Sequence, residues 1–250
     1  GILPIHLAAF NDNADIVDED FNTYDVTGGR IAVLWNISDD WSALMSHVTE
    51  NSELEGSWDT DPDLGDYKIT RFVDEMRDDD WYSSAFTLKG DLGFADLSAT
   101  VTHYGRDIVY LWDNHAYSQY KDAYYGYGLY DTDYTRSNIF NDQEQQRDAA
   151  EIRLVSKGDS KLLWMAGAYW EDVYDEWYYG AGYPDYMSTD AAYYANYWAC
   201  YYANYYDFVD CPIDTTVGYS DTFKRSVEQT AVFGEVAYDV TDKLTLTAGM

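Results

Sequence analysis

Residues 231–250 read AVFGEVAYDVTDKLTLTAGM, and this stretch decides the predicted fold. From Val232 to Val240 every second residue is apolar or glycine, and after Thr241-Asp242 the apolar alternation resumes from Leu244 to Met250. A period of two is typical of a half-buried strand, and a short polar break between two such runs indicates a tight turn. The stretch therefore predicts a β-hairpin.

Three other parts of the chain have the same design. Each combines two runs of β-branched and aromatic residues with a turn of Gly, Asp or Ser. All four prolines lie outside these runs, as expected because proline removes a donor from the hydrogen-bonded ladder. The sequence predicts an all-β, antiparallel chain of about eight strands in four hairpins, at about 30–50, 81–106, 148–174 and 226–250.

The connections between the predicted strands alternate between short and long. Turns inside the hairpins are short, whereas the connections between hairpins cover about 51–80, 107–147 and 175–225. The apolar face of such strands packs inward in a soluble sandwich and faces lipid in an outer-membrane barrel, so periodicity alone leaves both open. Soluble sandwiches rarely carry several long structureless loops, whereas transmembrane barrels combine short periplasmic turns with long extracellular loops. The connection lengths favour the barrel.

Composition narrows the classes of partner. Lys and Arg number 15 against 46 Asp and Glu, which gives a formal net charge of −31 and argues against a nucleic-acid partner. Apolar residues make up 46% of the chain, which is too many for a disordered acidic tail. The sequence shows no signal peptide and ends inside a strand pattern, so we interpret it as a fragment of a longer protein.

Several motifs carry a resemblance to a known family. They are Gly28-Gly29-Arg30-Ile31-Ala32-Val33, Asp61-Pro62-Asp63-Leu64-Gly65-Asp66, the run Asp91-Leu92-Gly93-Phe94-Ala95-Asp96-Leu97, and the stretch 231–249 with its Thr-Asp-Lys turn and final Ala-Gly. Together they resemble the barrel of TonB-dependent outer-membrane receptors. The resemblance covers most of residues 28–175 and 226–250, and the tyrosine-rich segment between them matches nothing in it.

The resemblance implies an architecture and a location. Residues 1–250 would form part of one up-and-down transmembrane β-barrel domain in the outer membrane of a Gram-negative cell, with 51–80, 107–147 and 175–225 extracellular. Family members also carry an N-terminal plug domain and a TonB box, and this sequence shows neither. Expected partners are outer-membrane lipid, the TonB complex through the missing plug, and a small-molecule nutrient ligand.

The resemblance also implies a function, which is active uptake of a scarce, bulky nutrient. A siderophore-type iron chelate is favoured, with saccharides and cobalamin as other ligands of the family. Two alternatives remain open at this point. The chain could be a complete small outer-membrane barrel with a structural or adhesion role, or a secreted acidic β-protein that binds carbohydrate through its aromatic residues.

No motif predicts catalysis, a cofactor or a resident metal. GxSxG, HExxH and the phosphate-binding glycine loops are absent, so the sequence predicts no enzyme and no catalytic residues. Asp59, Asp61 and Asp63 alternate like calcium ligands, but the glycine and the terminal glutamate of the EF-hand are missing. The four histidines are scattered without metal-ligand spacing.

Aromatic residues of the long connections are the best candidates for ligand binding. Their rings stack on sugars and flat chelates, and their polar edges suit a hydrated binding mouth. The alternative is that the same rings pack the loops against one another. The candidates are Trp112, Tyr117, Tyr120, Tyr124, Tyr125, Tyr127, Trp177, Tyr178, Tyr179, Tyr183 and Trp198.

The segment from 191 to 206 contains no charged residue, and Tyr-Tyr-Ala-Asn-Tyr occurs in it twice. Alanine recurs there every four residues, so a short aromatic helix and irregular packing are both open. Cys200 and Cys211 lie close together and predict a disulfide closing a twelve-residue loop. By the loop-entropy model such a bond contributes ~2–3 kcal/mol, and a pair of free thiols is the alternative.

Overall fold

The structure is a computed structural model that describes residues 12–125, 136–158, 160–184, 193–194, 197–198, 200–202 and 217–250. Nearly all of the regular structure in these ranges is strand. The strands are β1 (Tyr24–Asn36), β2 (Trp41–Glu55), β3 (Met76–Asp91), β4 (Ala95–Asp113), β5 (Asn138–Ser156), β6 (Leu162–Gly182), β7 (Val217–Thr241) and β8 (Leu244–Gly249), with helix α1 (His115–Tyr125) between β4 and β5.

The eight strands form one sheet in sequence order, and every neighbouring pair is antiparallel. This confirms the predicted all-β, up-and-down fold of about eight strands. In the part of the chain that is described, β1 pairs only with β2 and β8 pairs only with β7, so the sheet is open. No helix among these residues is long and apolar enough to cross a membrane.

The strands extend well beyond the predicted hairpins. The ranges 51–80, 107–147 and 175–225 were predicted as loops, but β4 continues to Asp113, β5 begins at Asn138, and β6 and β7 pair as far as Gly182 and Val217. In these extensions apolar and polar residues do not alternate along the strand, so the pattern in hydropathy that marks a strand is missing. The ladder still continues, because its hydrogen bonds join backbone groups that every residue except proline carries.

The short turns lie where the sequence predicts them. Between β3 and β4 the carboxylate of Asp91 accepts a hydrogen bond from the backbone N–H of Gly93 at 2.7 Å. Gly93 has φ of +84°, a conformation that side chains other than glycine rarely adopt. This pairing of Asp with Gly explains why so few residues can reverse the chain there.

Directly opposite residues of an antiparallel ladder share one face of the sheet, so the register sorts the side chains into two faces. We call the face that carries Val33, Met45, Phe86 and Val101 face A, and the opposite one face B. Near the short turns face A is apolar, whereas face B there mixes Ser, Thr, Lys, Arg and Glu with aliphatic residues such as Leu44 and Val155. The two faces therefore meet different surroundings.

Four glycines lie directly opposite aromatic residues in the ladder. The pairs are Gly90 with Trp41, Gly105 with Tyr82, Gly180 with Phe140, and Gly167 with Phe233. In each pair the ring occupies the space that a Cβ on the glycine would need. The aromatic side chains thus cover bare backbone across the strand pair, which fixes the register.

The uncharged tyrosine-rich stretch is helical where it is described. Residues 193–194, 197–198 and 200–202 have α-helical backbone, so the helix alternative describes them and irregular packing does not. Cys200 is half-buried there, and Cys211 lies outside the described residues. The disulfide between them stays a prediction.

Gly167 gives a test of the glycine–aromatic pairs. A Cβ there would lie 2.3 Å from Cζ of Phe233 and 2.8 Å from the backbone oxygen of Ile152, so Gly167→Ala forces overpacking. We expect it to lower the free energy of unfolding by about 1 to 3 kcal/mol, measured by urea denaturation of the full-length protein in detergent. Gly29→Ala is the control, because a Cβ at Gly29 meets nothing within 4 Å. Equal midpoints for the two variants would contradict the role of these pairs.

Candidate functional site

Face A carries a continuous apolar surface beside the short turns, which we call the apolar band. Many of its large side chains are unusually exposed for apolar residues: Val33 is 54%, Met45 60% and Val101 53% accessible. Nothing in the described chain covers them, and a contiguous patch of this size normally contacts another apolar phase. The band consists of Val33, Trp35, Trp41, Ala43, Met45, Phe86, Leu88, Leu97, Ala99, Val101, Ala150, Ile152, Leu154, Ala166, Ala168, Trp170 and Val232.

A hydrogen-bonded row of polar side chains borders the band on the side away from the short turns. His47 Nδ1 and the hydroxyl of Ser84 are 2.8 Å apart, and His103 Nδ1 is 2.7 Å from the Asp148 carboxylate. The other ring nitrogen of His103 is 2.9 Å from the hydroxyl of Tyr82. These polar groups satisfy one another at the boundary, which limits the cost of placing them beside apolar surroundings.

Beyond this row face A becomes acidic. Asp80, Asp107, Glu144 and Glu176 occupy directly opposite positions on four successive strands. Like charges in such positions destabilise a sheet. Lost hydration and the carboxylates of Glu144, Asp142 and Asp80 raise the pKa of the Asp107 carboxyl above its ordinary value.

Away from the short turns, face B carries buried carboxylates that are paired with arginine. The Arg106 guanidinium donates two hydrogen bonds to Asp79, at 2.8 and 2.6 Å, and Arg77 donates a third at 2.7 Å. Asp79 is only 6% exposed. The hydrogen bonds from Arg106, together with the charges of Arg106 and Arg77, hold the pKa of this carboxyl below its ordinary value against the effect of burial.

Two similar clusters lie further across face B. Arg147 donates to the buried Glu171 at 2.8 Å, and the hydroxyl of Tyr169 donates to the same carboxylate at 2.6 Å. Asp175, also buried, accepts hydrogen bonds from Arg225 and, at 2.7 Å, from Gln145. Each cluster joins neighbouring strands, and its carboxylate lies deeper than its guanidinium. A face of this kind suits contact with water or polar groups.

Helix α1 is fixed across the end of the sheet away from the short turns. The Asp113 carboxylate accepts hydrogen bonds from the backbone N–H groups of His115, at 2.8 Å, and of Phe72, at 2.6 Å. The buried Glu75 accepts from the N–H of Asp113 and from Arg71. Acidic acceptors at the first turn suit a helix N-terminus, where N–H groups lack partners. The connection before β3 therefore holds α1 in place.

A cavity of about 620 Å³ lies between α1 and face B. Ile139, Ala181 and Tyr219 lie in one row of the ladder, and the rings of Tyr179 and Tyr219 meet edge to face at 6.2 Å. No carboxylate is among the described residues of its wall, and Nζ of Lys121 lies 5.6 Å from the centre of the Tyr117 ring. The wall consists of Asn114, Tyr117, Lys121, Ile139, Tyr179, Ala181, Tyr183 and Tyr219.

Three of the predicted binding residues meet in this cavity, namely Tyr117, Tyr179 and Tyr183. Tyr183 is 6% exposed, and its hydroxyl is 3.5 Å from that of Ser118 on α1. Tyr178 was predicted alongside Tyr179, but it points to face A, where it packs on Phe140 at 5.1 Å. Adjacent residues of a strand face opposite ways, so the two tyrosines cannot share one site.

The other predicted binding residues lie elsewhere. Trp112 and Trp177 are on strands rather than in loops; they pack on Tyr110 at 5.8 Å and on Phe223 at 4.5 Å. Tyr120 and Tyr124 are exposed on α1, and Trp198 is exposed in the tyrosine-rich stretch. The side chains of Tyr125 and Tyr127 lie outside the described residues.

Sequence reasoning missed five residues of the cavity wall: Asn114, Lys121, Ile139, Ala181 and Tyr219. Ile139 and Tyr219 belong to strand extensions that were predicted as loops. If the predicted β5 had begun at Asn138 and the predicted β7 at Val217, the alternation of side chains along each strand would have placed Ile139 and Tyr219 on one face of the sheet. Among the described residues, no three His, Cys, Asp or Glu side chains converge in a way that could hold a metal ion.

No protein-family model matches the chain, and no curated protein matches it. Among solved structures, the chain is similar to the siderophore receptor PiuA from Acinetobacter baumannii, with 11% sequence identity and a TM-score of 0.45. The match covers 90% of this chain and 38% of the PiuA chain, so this chain spans well under half of that receptor's length.

Asp79 gives a prediction with a defined pH dependence. The pKa of Asp79 is lower in the folded state than in the unfolded state, where it is near ~3.9. The ionised carboxylate therefore stabilises the fold fully above the unfolded-state pKa, and this stabilisation is lost as pH falls through the folded-state pKa. We expect Asp79→Asn to lower the free energy of unfolding at pH 7 by about 2 to 3 kcal/mol, since it removes hydrogen bonds to a charged group. The difference should shrink below about pH 4.

The matched control is Asp78→Asn, which changes the neighbouring residue on face A, opposite Glu53. Removing the charge of Asp78 relieves its repulsion with Glu53, so the free energy of unfolding at pH 7 should stay the same or rise. Denaturant titrations of the full-length protein at several pH values measure both variants. Equal losses for Asp78 and Asp79 would refute the role of the Asp79 cluster.

Proposed function

We propose that the chain forms part of a transmembrane β-barrel in a Gram-negative outer membrane, and that this barrel belongs to a TonB-dependent receptor. The observation that carries the proposal is the contrast between the faces of one continuous sheet. Face A presents an uncovered apolar band, and face B presents ion pairs that are already satisfied. A barrel in lipid needs this arrangement, with apolar side chains outward and polar ones toward a hydrated interior.

The apolar band and the polar row that borders it together have the length of a membrane crossing. In the register, 41–49, 82–90, 97–105, 146–154, 166–174 and 226–234 lie side by side as nine-residue segments. Transmembrane strands need ~9–11 residues. Trp41 lies at one end of these segments, and Tyr82 and Tyr174 lie at the other. Aromatic residues at both ends are typical of the two membrane–water interfaces.

The open sheet supports a segment of a wider barrel over a complete eight-stranded one. A complete barrel would pair its first and last strands, since an unpaired edge in lipid leaves backbone groups without partners. Here β1 and β8 are edges of the described sheet. The long strand extensions, with their acidic face A, would then project from the outer surface of the cell.

A soluble, carbohydrate-binding β-protein is the main competing account. In such a protein a second layer would cover the apolar side of the sheet, and no described residue does so.

We infer that the tyrosine cavity between α1 and face B is a ligand-binding site of the receptor. It lies at the end of the interior face that is remote from the short periplasmic turns. The phenol rings of its wall suit flat chelates. The chain has a net charge of −31, but the described wall carries Lys121 and no carboxylate, so the cavity suits an anionic ligand. A siderophore-type iron chelate is the proposed cargo, and TonB, acting through a plug domain, is the proposed source of energy.

Val101 lies at the centre of its membrane-spanning segment, so it tests the membrane proposal. We expect Val101→Arg to destabilise the folded, inserted protein by about 2 to 4 kcal/mol, because an arginine would face lipid at mid-depth. The measurement is the amount of heat-modifiable protein in the outer-membrane fraction, together with its unfolding in detergent or lipid.

Thr102→Arg is the control, because Thr102 is the next residue and faces the interior beside Ala85 and Ala149. It should leave the membrane-inserted level close to that of the unchanged protein. If Val101→Arg is tolerated as well as Thr102→Arg and the protein partitions into the aqueous phase, the membrane proposal fails.

The ligand proposal is tested with an adjacent pair of tyrosines. We expect Tyr179→Ala to reduce uptake of ⁵⁵Fe-labelled chelates at least tenfold at limiting concentration, because it removes a wall of the cavity. Tyr178→Ala, on face A, should retain most of the uptake. Equal effects of the two variants would remove the cavity from the mechanism. Equal uptake by cells with and without the gene would exclude iron chelates as cargo.

A further inference from the structure

Two arginines of face B are held by one edge of the guanidinium and keep the other edge free. Arg147 directs Nε and Nη2 at Glu171, with distances of 2.8 and 2.6 Å, and Arg225 directs the same two nitrogens at Asp175. No described residue accepts a hydrogen bond from Nη1 of either arginine. Because a guanidinium has five N–H donors in a planar fork, the Nη1 edge of each arginine remains available to another molecule.

The charges of these two ion pairs have a fixed orientation. Both arginine side chains are 51% exposed, whereas those of Glu171 and Asp175 are 11% and 6% exposed. Neutral donors occupy the carboxylate oxygens as well: Glu171 accepts from Tyr169 at 2.6 Å and from Gln229, and Asp175 accepts from Gln145 at 2.7 Å. These contacts keep the carboxylates turned inward, so an approaching ion meets the guanidinium groups first.

The two arginines lie on opposite sides of β6. Arg147 is on β5 and Arg225 is on β7, and their carboxylate partners are four residues apart on β6, with Val173 between them. Four residues span ~13 Å of a strand. A single anionic group is too small to contact both guanidiniums, whereas a molecule with two or more such groups can reach them together.

A cavity of about 480 Å³ occupies this part of face B. Its wall consists of Tyr104, Gln145, Arg147, Glu171 and Val173. Because Gln145 also contacts Asp175, the cavity extends from the first ion pair to a side chain that touches the second. It is distinct from the tyrosine cavity, since Val173 lies six residues, or ~20 Å, nearer the short turns than Tyr179 on the same strand.

The free guanidinium edges determine which ligands fit. Two parallel N–H groups of a planar fork match the oxygens of a carboxylate or a phosphate. Each arginine is already fixed by its ion pair, so a ligand loses little affinity to the ordering of these side chains. The net charge of −31 opposes an anion at long range, but salt screens that repulsion beyond about 8 Å at physiological ionic strength. The site therefore suits an oxyanion that contacts the arginines directly.

We propose that Arg147 and Arg225 form a binding site for a small oxyanion that carries at least two carboxylate or phosphate groups. The ligand lies over Val173, with one anionic group on the Nη1 edge of each arginine. The site requires neither iron nor TonB, and it needs only that face B meets water. It therefore adds a second ligand site to face B that does not depend on the cargo of the tyrosine cavity.

The test is isothermal titration calorimetry of the purified, detergent-solubilised full-length protein in metal-free buffer at pH 7. The probes with several anionic groups are tripolyphosphate and citrate, which separate phosphate from carboxylate recognition. Orthophosphate and acetate are the comparisons with a single group. We expect tripolyphosphate or citrate to bind about tenfold more tightly than its single-group comparison, because only the larger anion contacts both arginines.

The decisive variant combines Arg147→Lys with Arg225→Lys. It keeps both positive charges and lets each lysine pair with its carboxylate, but it removes the second edge of the fork. We expect it to weaken binding of the larger anion about tenfold. Heat-modifiable migration checks that the variant is folded. If it is not, Asp175→Asn with Arg225→Gln replaces it, because removing both charges together leaves no buried carboxylate unpaired.

Lys224→Gln is the matched control. Lys224 is the residue before Arg225, but it faces the other side of the sheet and pairs with Glu176 at 2.6 Å. Its replacement removes a whole positive charge, so it detects any effect of net charge alone. The variant should bind tripolyphosphate and citrate as the unchanged protein does.

Three results would overturn the proposal. They are no binding of either larger anion, equal affinity of the arginine variant and the unchanged protein, or an equal loss of affinity in Lys224→Gln. The proposed transport is judged separately by uptake of iron chelates in cells. A protein that takes up no chelate but binds tripolyphosphate or citrate through the arginines supports this site and contradicts only the proposed cargo.

Discussion

The antiparallel ladder is the constraint on which the rest of the structure depends. From β1 to β6 its register is unbroken, so the register fixes which residues lie opposite each other and on which face of the sheet each side chain lies. A slip of one residue would move every side chain to the other face. The apolar band, the acidic row and the buried carboxylates all keep their surroundings because of this register, and the glycine–aromatic pairs fix it.

The register also separates the charges of a very acidic chain. On the strand extensions, Asp80, Asp107, Glu144 and Glu176 face one way, and the arginines that neutralise Asp79, Glu171 and Asp175 face the other. The buried carboxylates of face B are therefore paired, while a row of like charges lies on face A. The tyrosine cavity lies at the end of face B, and no carboxylate is among the described residues of its wall.

The connections do more than join strands. Asp113 and Glu75 tie α1 to the segment before β3, and Ser118 and Tyr183 tie it to the end of β6. The cavity thus depends on contacts between three separate connections.

The sequence by itself determined the all-β class, the four hairpins and the position of the short turns, because alternation of apolar residues and Asp-Gly turn chemistry act over a few neighbours. Only the tertiary structure decided how far the strands extend, because backbone hydrogen bonds continue through residues such as 107–113 and 138–147, whose hydropathy does not alternate. It also decided that Tyr179 and Tyr183 share a cavity with Tyr117 while Tyr178 does not. Residues far apart in the chain meet only through the register of several strands, which no local pattern specifies.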